Sequence, residues 1–314
     1  MSKLAVVALG GNALLLAGQK GTIDEQETNV HNTCLNILEL IKQDYNLVIT
    51  HGNGPQVGNI LLQNIAGAKM FDVPEMPLDI CGAYSQGLIG YMIEQQLRNV
   101  LEKCNMDRDV ITIVTQVLVD KNDTAFSNPT KPIGPYYTKA DIDKMTAETR
   151  AVFKEDAKGR GWRKVVASPK PLLVGNRNTI EKIARGGQIV VAVGGGGIPV
   201  FYVEHNKLQG IDAVIDKDLA SALLASQIHA DEFYILTDIA KVCINFNKID
   251  EKKLDILTLR EAKKYLEEGQ FAEGSMAPKI RAAILFTENS GRETIIAEAS
   301  QLSKPNCGTK IVKE

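Results

Sequence analysis

LVITHGNGPQVGN, residues 47–59, sets an apolar run against a glycine loop, and the reading of that junction decides the fold. Leu47, Val48 and Ile49 form a short continuous apolar stretch, the mark of a strand covered on both faces. The loop after them nearly spells the dinucleotide fingerprint GxGxxG. Gly52 and Gly54 have the right spacing, but Val57 stands where the third glycine belongs, and Gly58 comes one residue late. The loop therefore asks for a different anion, and Gly58 reads as a relief of helix packing.

Similar runs recur at Ala5–Leu9, Leu47–Thr50, Val110–Val119, Val165–Ala167, Ile189–Val193 and Phe233–Thr237. Helical patterns lie between them: Val30, Cys34, Ile37, Leu38 and Ile41 share one face, and Leu88, Ile89, Met92, Ile93, Leu97, Val100 and Leu101 repeat the period. Strand and helix in alternation predict an α/β fold with a parallel sheet between helical layers. One stretch breaks the rhythm. DKNDTAFSNPTKPIGPYYT, residues 120–138, has three prolines and little periodicity, and reads as a protruding loop or subdomain ordered by Phe126, Tyr136 and Tyr137.

Composition narrows the function. A net charge of -2 over 314 residues supplies no general attraction for polyanions, so nucleic acid is not an expected partner. The apolar run Leu4–Leu9 is too short for a signal-peptide core or a membrane span, which sets a cytoplasmic location as the expectation. The five cysteines are scattered without CxxC spacing and read as buried thiols or bystanders.

Three of the predicted strands end in glycine: at Gly10-Gly11-Asn12, at Gly52-Asn53-Gly54 and at Gly194–Gly197. Carboxyl ends of parallel strands share one edge, so these loops converge on one crevice whose backbone N–H groups suit an anion. The lysines sharpen the picture. VIDKDLASALLA, residues 214–225, puts Lys217 between Asp216 and Asp218 at a helix start, where the aspartates can cap the helix. GSMAPKIRAAILF, residues 274–286, sets Lys279 just after Pro278 at another helix start. Lys131 lies between Pro129 and Pro132, which restrict the backbone presenting it. The sequence has no GxxxxGK[ST], no HRD or DFG set and no GxSxG, and its four histidines are dispersed. His51 could touch a ligand, but a packed structural histidine is the plainer reading. Glycine loops and lysines without an evident base suit phosphoryl transfer, where catalysis is mostly positioning and charge stabilisation.

With these residues in place, the chain resembles the carbamate kinases of the amino acid kinase superfamily almost end to end. The resemblance rests on ALGGNAL (8–14), HGNGPQVGN (51–59), AFSNPTKPIGP (125–135), EDAKGRGWRKVVASPKP (155–171), GGGGIP (194–199), AVIDKDLAS (213–221), ILTDIAKVCINF (235–246) and GSMAPK (274–279). NPTKPIGP and GRGWRKVV are its most specific parts. It implies an open αβα sandwich in two lobes: residues 1–228 for carbamate and the phosphoryl group, with a protruding subdomain at about 120–165, and residues 229–314 for ATP or ADP. Gly10, Gly11, Asn12, Gly52, Asn53 and Gly54 would then hold carbamate and the transferring phosphoryl group. Lys217 and Lys279 would stabilise that group, Asp216 or Asp218 would orient the lysines, and Lys131 would reach toward carbamate. Gly195 and Gly196, the segment Thr237 to Cys243 with Asp238 and Val242, and Gly274, Ser275, Met276 and Pro278 would contact the nucleotide. The resemblance further implies a homodimer, Mg²⁺ carried on the nucleotide phosphates rather than by protein ligands, and a place in arginine catabolism by the arginine deiminase route.

Carbamate attacks through an oxygen that is already anionic, so the missing base is consistent with that chemistry. Three alternatives stand beside it: a related kinase acting on another carboxylate, a non-catalytic nucleotide-binding regulator, and a dinucleotide oxidoreductase weakened by the defective fingerprint.

Overall fold

A computed structural model describes residues 2–16, 18–148, 151–156 and 159–314; Ala157 and Lys158 of the block 155–171 lie outside the described residues. The helices are α1 (Ile23–Lys42), α2 (Gly54–Phe71), α3 (Leu78–Lys103), α4 (Lys139–Glu148), α5 (Arg177–Arg185), α6 (Lys217–Gln227), α7 (Leu259–Glu267) and α8 (Met276–Ser290). Numbered along the chain, the strands of the large sheet run in the order β15 (Ile256–Thr258), β17 (Thr309–Val312), β16 (Thr294–Glu298), β12 (Glu232–Thr237), β1 (Leu4–Leu9), β2 (Asn46–His51), β9 (Ile189–Val191) and β3 (Val110–Thr112). Every pairing in it is parallel except β16 with β17. A second sheet has the order β11 (Lys207–Gly210), β10 (Ile198–Val203), β4 (Gln116–Val119), β8 (Pro171–Val174). A third, antiparallel throughout, joins β5 (Lys131–Tyr137), β7 (Trp162–Val166) and β6 (Val152–Glu155), and a short ribbon pairs β13 (Cys243–Ile244) with β14 (Lys252–Lys253).

The continuous apolar runs are explained by helices on both faces. Leu4, Val6 and Ala8 of β1 enter a core with α6 and α8, while Ala5, Val7 and Leu9 enter another with α1 and α3. Each large aliphatic side chain fully buried there contributes about 1.5–3 kcal/mol. Local signals agree with the packing: α1 opens on a capping box in which Thr22 and Glu25 satisfy each other's backbone N–H, and it closes with Lys42 in its last turn. From β1 the chain moves to β2 on one side, whereas β12 leads to β16 on the other. The order of the sheet reverses between β1 and β12, and ligands of open α/β sheets bind outside the carboxyl ends of strands at such a point.

Two expectations need correction. Val110–Val119 is not one strand: β3 joins the large sheet and β4 the second. At the break, Thr115 donates its N–H to Gln86 Oε1 (2.8 Å) and accepts Val193 N–H on Oγ1 (3.1 Å), so side chains replace the ladder. Val165–Ala167 likewise marks no strand of the parallel sheet; Val165 and Val166 end β7, in the small antiparallel sheet. A three-residue apolar run carries no information about which sheet it joins. Around that sheet, Tyr137 meets Phe153 edge to face at 5.6 Å, Arg160 and Arg163 both lie over Tyr136, and Lys139 lies over Trp162.

Candidate active site

The glycine loops after β1 and β2, the start of α6, the start of α8 and the first residues of β5 line one cleft of about 1530 Å³ at the carboxyl edge of the large sheet. Gly10 and Gly11 follow β1, and Asn12 sits in the 3-10 turn Gly11–Ala13. Gly52, Asn53 and Gly54 follow β2, where Asn53 is the N-cap of α2. Its amide donates to Ser85 Oγ at 2.8 Å instead of capping, so no side chain satisfies the first turn of α2, and the positive end of that helix opens on the cleft wall.

The lysines sit close to these loops. The Lys217 stem runs over Gly52, with Cδ only 3.0 Å from where a side chain at Gly52 would begin. Lys217 Nζ donates to Asp218 Oδ1 at 2.6 Å, and Lys279 Nζ donates to Asp218 Oδ2 at 3.1 Å. Lys131 Nζ donates to Asp216 Oδ2 at 2.8 Å. The other oxygen of Asp216 caps α6, accepting from the N–H groups of Asp218 and Leu219. The aspartates thus divide their work: Asp218 spaces two lysines, and Asp216 joins the helix cap to the lysine of the excursion. Burial works against the Asp218 carboxylate, but the Lys217 and Lys279 ammonium groups outweigh it and hold its pKa well below the carboxylate range. Asp216 is lowered in the same way, burial opposing and Lys131 prevailing. Burial pulls Lys217 below the usual lysine range against the support of Asp218, and Lys279 adds to that depression. Three lysines against two carboxylates leave one cation in excess, an arrangement made for an anion.

Other expected residues separate into wall and support. Gly195, Thr237, Asp238, Gly274, Ser275, Met276 and Pro278 line the cleft. Gly196 packs behind it: a side chain there would run into the Ile215 carbonyl, and one at Gly195 would overlap the Asn53 amide. Gly195, Gly196 and Gly197 all have φ between +65 and +93, which excludes most side chains on backbone grounds as well. Val242 is fully buried behind the wall, its N–H bonded to Thr309 Oγ1 at 2.8 Å. His51 is 1% exposed, hydrogen-bonded through Nδ1 to the Gly52 carbonyl, and burial lowers its pKa to about 4, so it is a neutral structural group.

Sequence reasoning missed Ser85 and Gln86. Gln86 donates to the Thr115 and Gly194 carbonyls at 3.1 and 3.0 Å, tying α3 to the third glycine loop. Two polar residues inside an apolar helix were the available signal. Cys243, at the end of the segment expected along the nucleotide, is half-buried on the cleft wall. Phe271, Ala272 and Glu273 complete the wall ahead of Gly274, without a motif to announce them.

Residues 3–298 match the model of the amino acid kinase family. A carbamate kinase from Pyrococcus furiosus is 47% identical over 315 residues, covering 99% of this chain and 100% of its own. The carbamate kinase from Giardia lamblia bound to citric acid superposes with a TM-score of 0.92 at 45% identity, covering 100% of this chain and 99% of that one. The same enzyme bound to AMP-PNP superposes with a TM-score of 0.91 at 46% identity over the same shares.

Proposed function

The chain belongs to the amino acid kinase family, and from that premise we propose that it is a carbamate kinase, transferring a phosphoryl group reversibly between ATP and carbamate to give ADP and carbamoyl phosphate. One observation carries the reading: Lys217 and Lys279, on two different helices, are held on the two oxygens of one buried carboxylate beside the glycine loops. Charge is the obstacle when an anionic nucleophile approaches ATP, and preorganised cations and N–H donors answer it.

In this reading the phosphoryl group lies between Lys217 and Lys279, with Asp218 fixing their separation. Carbamate sits against Gly52, Asn53 and Gly54 under Lys131, and Gly10 and Gly11 face the transferring group. Residues 229–314 hold the nucleotide, with Thr237, Asp238 and Gly274–Pro278 along its course. No proton has to leave the nucleophile, which agrees with a neutral His51 engaged by backbone. Lysines engage both carboxylates at the cleft centre, so the donor chemistry fits Mg²⁺ carried by the nucleotide phosphates rather than by a protein cage. When bound there, the ion supplies further charge neutralisation to those phosphates. A homodimer is proposed through α3, where Ile80, Tyr84, Leu88 and Tyr91 form an exposed apolar face. ATP and ADP as substrates favour a cytoplasmic location, and arginine breakdown by the arginine deiminase route would be a source of carbamoyl phosphate for the reversible transfer.

The direct test is ATP formation from ADP with carbamoyl phosphate, set against acetyl phosphate. Preference for carbamoyl phosphate supports the reading; equal use of both points to a less selective carboxylate kinase.

A further inference from the structure

Helix α2 serves two parts of the cleft. Its first residue, Gly54, belongs to the loop that receives the acceptor; about one turn later, at Gly58, the helix meets β5, the strand that begins with Lys131. The approach is unusually close. A side chain built on Gly58 would overlap the Cα and the N of Gly134, both backbone atoms that cannot swing aside. Gly134 has φ +70, with open space where its own side chain would be. Two further contacts fix the strand there. Ile133 is buried in a small core with Val57, Leu61, Leu78, Cys81 and Val214, and Arg163 Nε, from β7, donates to the Gly134 carbonyl at 3.0 Å. Glycine inside a helix is a poor helix former, so alanine would be the better residue at this position if nothing pressed upon it.

We infer that Gly58 is a positioning residue: the backbone contact with Gly134 sets how far Lys131 stands from the Gly52-Asn53-Gly54 loop, and so sets the size of the acceptor site. The inference rests on the carbamate reading above. Lys131 then has two anchors, α2 through the Gly58–Gly134 contact and the cap of α6 through Asp216. Added bulk at Gly58 lifts β5 and moves the ammonium group, which changes the small acceptor's fit without touching the nucleotide half of the cleft. Displacements of well under an ångström to about one ångström are enough to cost rate when a reacting group must be held in place.

The test is Gly58→Ala, assayed with ADP and carbamoyl phosphate. KM for carbamoyl phosphate is expected to rise about fivefold or more and kcat/KM to fall about tenfold, with KM for ADP within about twofold of the parent. In a Lys131→Ala background the same change should alter kcat/KM by less than about twofold, because its effect runs through that lysine. Arg163→Gln loosens the strand from its other side without placing an atom in α2; it is expected to move the same parameters and serves if Gly58→Ala does not fold. Amide exchange supplies a readout free of activity: residues 131–137 should exchange about tenfold faster in either variant than in the parent. Parental carbamoyl phosphate kinetics together with parental protection of 131–137 overturns the inference, as does an equal loss toward both substrates. A parent enzyme that makes no ATP from carbamoyl phosphate removes the carbamate reading instead, and the exchange measurement then decides the seating of β5 by itself.

Discussion

Asp218 holds Lys217 on one carboxylate oxygen at 2.6 Å and Lys279 on the other at 3.1 Å, so a single buried anion spaces two cations that come from different helices. Replacing it breaks both pairs at once. Asp218→Asn keeps the shape but turns an amide toward one of the ammonium groups. Turnover is expected to fall about 10²-fold or more as the lysines lose their spacing. Breaking a buried pair of this kind costs about 3–5 kcal/mol, so urea denaturation should show a lower midpoint with an unchanged slope. Parental stability and turnover in this variant would mean that the lysines are placed by something other than Asp218.

Lys131 differs from the other two lysines because it arrives on β5 and pairs with the cap of α6. Lys131→Ala is expected to raise KM for carbamoyl phosphate about tenfold while ADP affinity stays within about twofold, since uniform loss of acceptor binding appears in KM. Isothermal titration with ADP and steady-state kinetics separate the two. An equal loss of ADP affinity would place Lys131 on the nucleotide instead.

The glycine loops, the lysines and the parallel sheet were legible because each is written in contiguous residues: an apolar run, a turn, a helix start. Asp216 as a helix cap could be read from its place before Lys217, and α1 and α3 from their periodicity. What escaped depends on pairing across the chain. Nothing local tells that Val110–Thr112 and Gln116–Val119 go to different sheets, because the cause is the distant Gln86 side chain. The sequence marks Gly58 as packing relief, and its partner, Gly134 on a strand 76 residues away, is a matter of tertiary structure. The division of labour between Asp216 and Asp218 was open for the same reason: both flank Lys217, and only the positions of Lys131 and Lys279 tell them apart.

His51 gives a pH signature. Burial lowers its pKa from 6.5 to about 4, with Lys217 adding to the shift and the Gly52 carbonyl opposing it. Between those values the unfolded chain takes up a proton that the folded chain refuses. The contribution is therefore fully present above pH 6.5 and is lost as pH falls toward 4. The difference amounts to about 3 kcal/mol at most. In urea titrations across this window, His51→Gln should show a shallower pH dependence than the parent. Parallel curves would mean that His51 titrates normally in the folded protein.

The exposed face of α3 carries a prediction about assembly. Tyr91 is 58% exposed and lies beside Tyr84, Leu88 and Ile80 on one helical face. The parent should sediment at twice its 34.3 kDa chain mass, and Tyr91→Glu should shift it toward the single chain, because a charge placed in an apolar contact must be desolvated. A parent that sediments as one chain removes the dimer.

The central claim is that the paired lysines carry phosphoryl transfer between carbamate and ATP. Its most direct test is the rate of ATP formation from ADP and carbamoyl phosphate by the parent and by Lys217→Ala and Lys279→Ala, with folding checked by circular dichroism. The account predicts robust ATP formation by the parent and a loss of about 10²-fold or more in each folded variant. Near-parental turnover in either folded variant would contradict it.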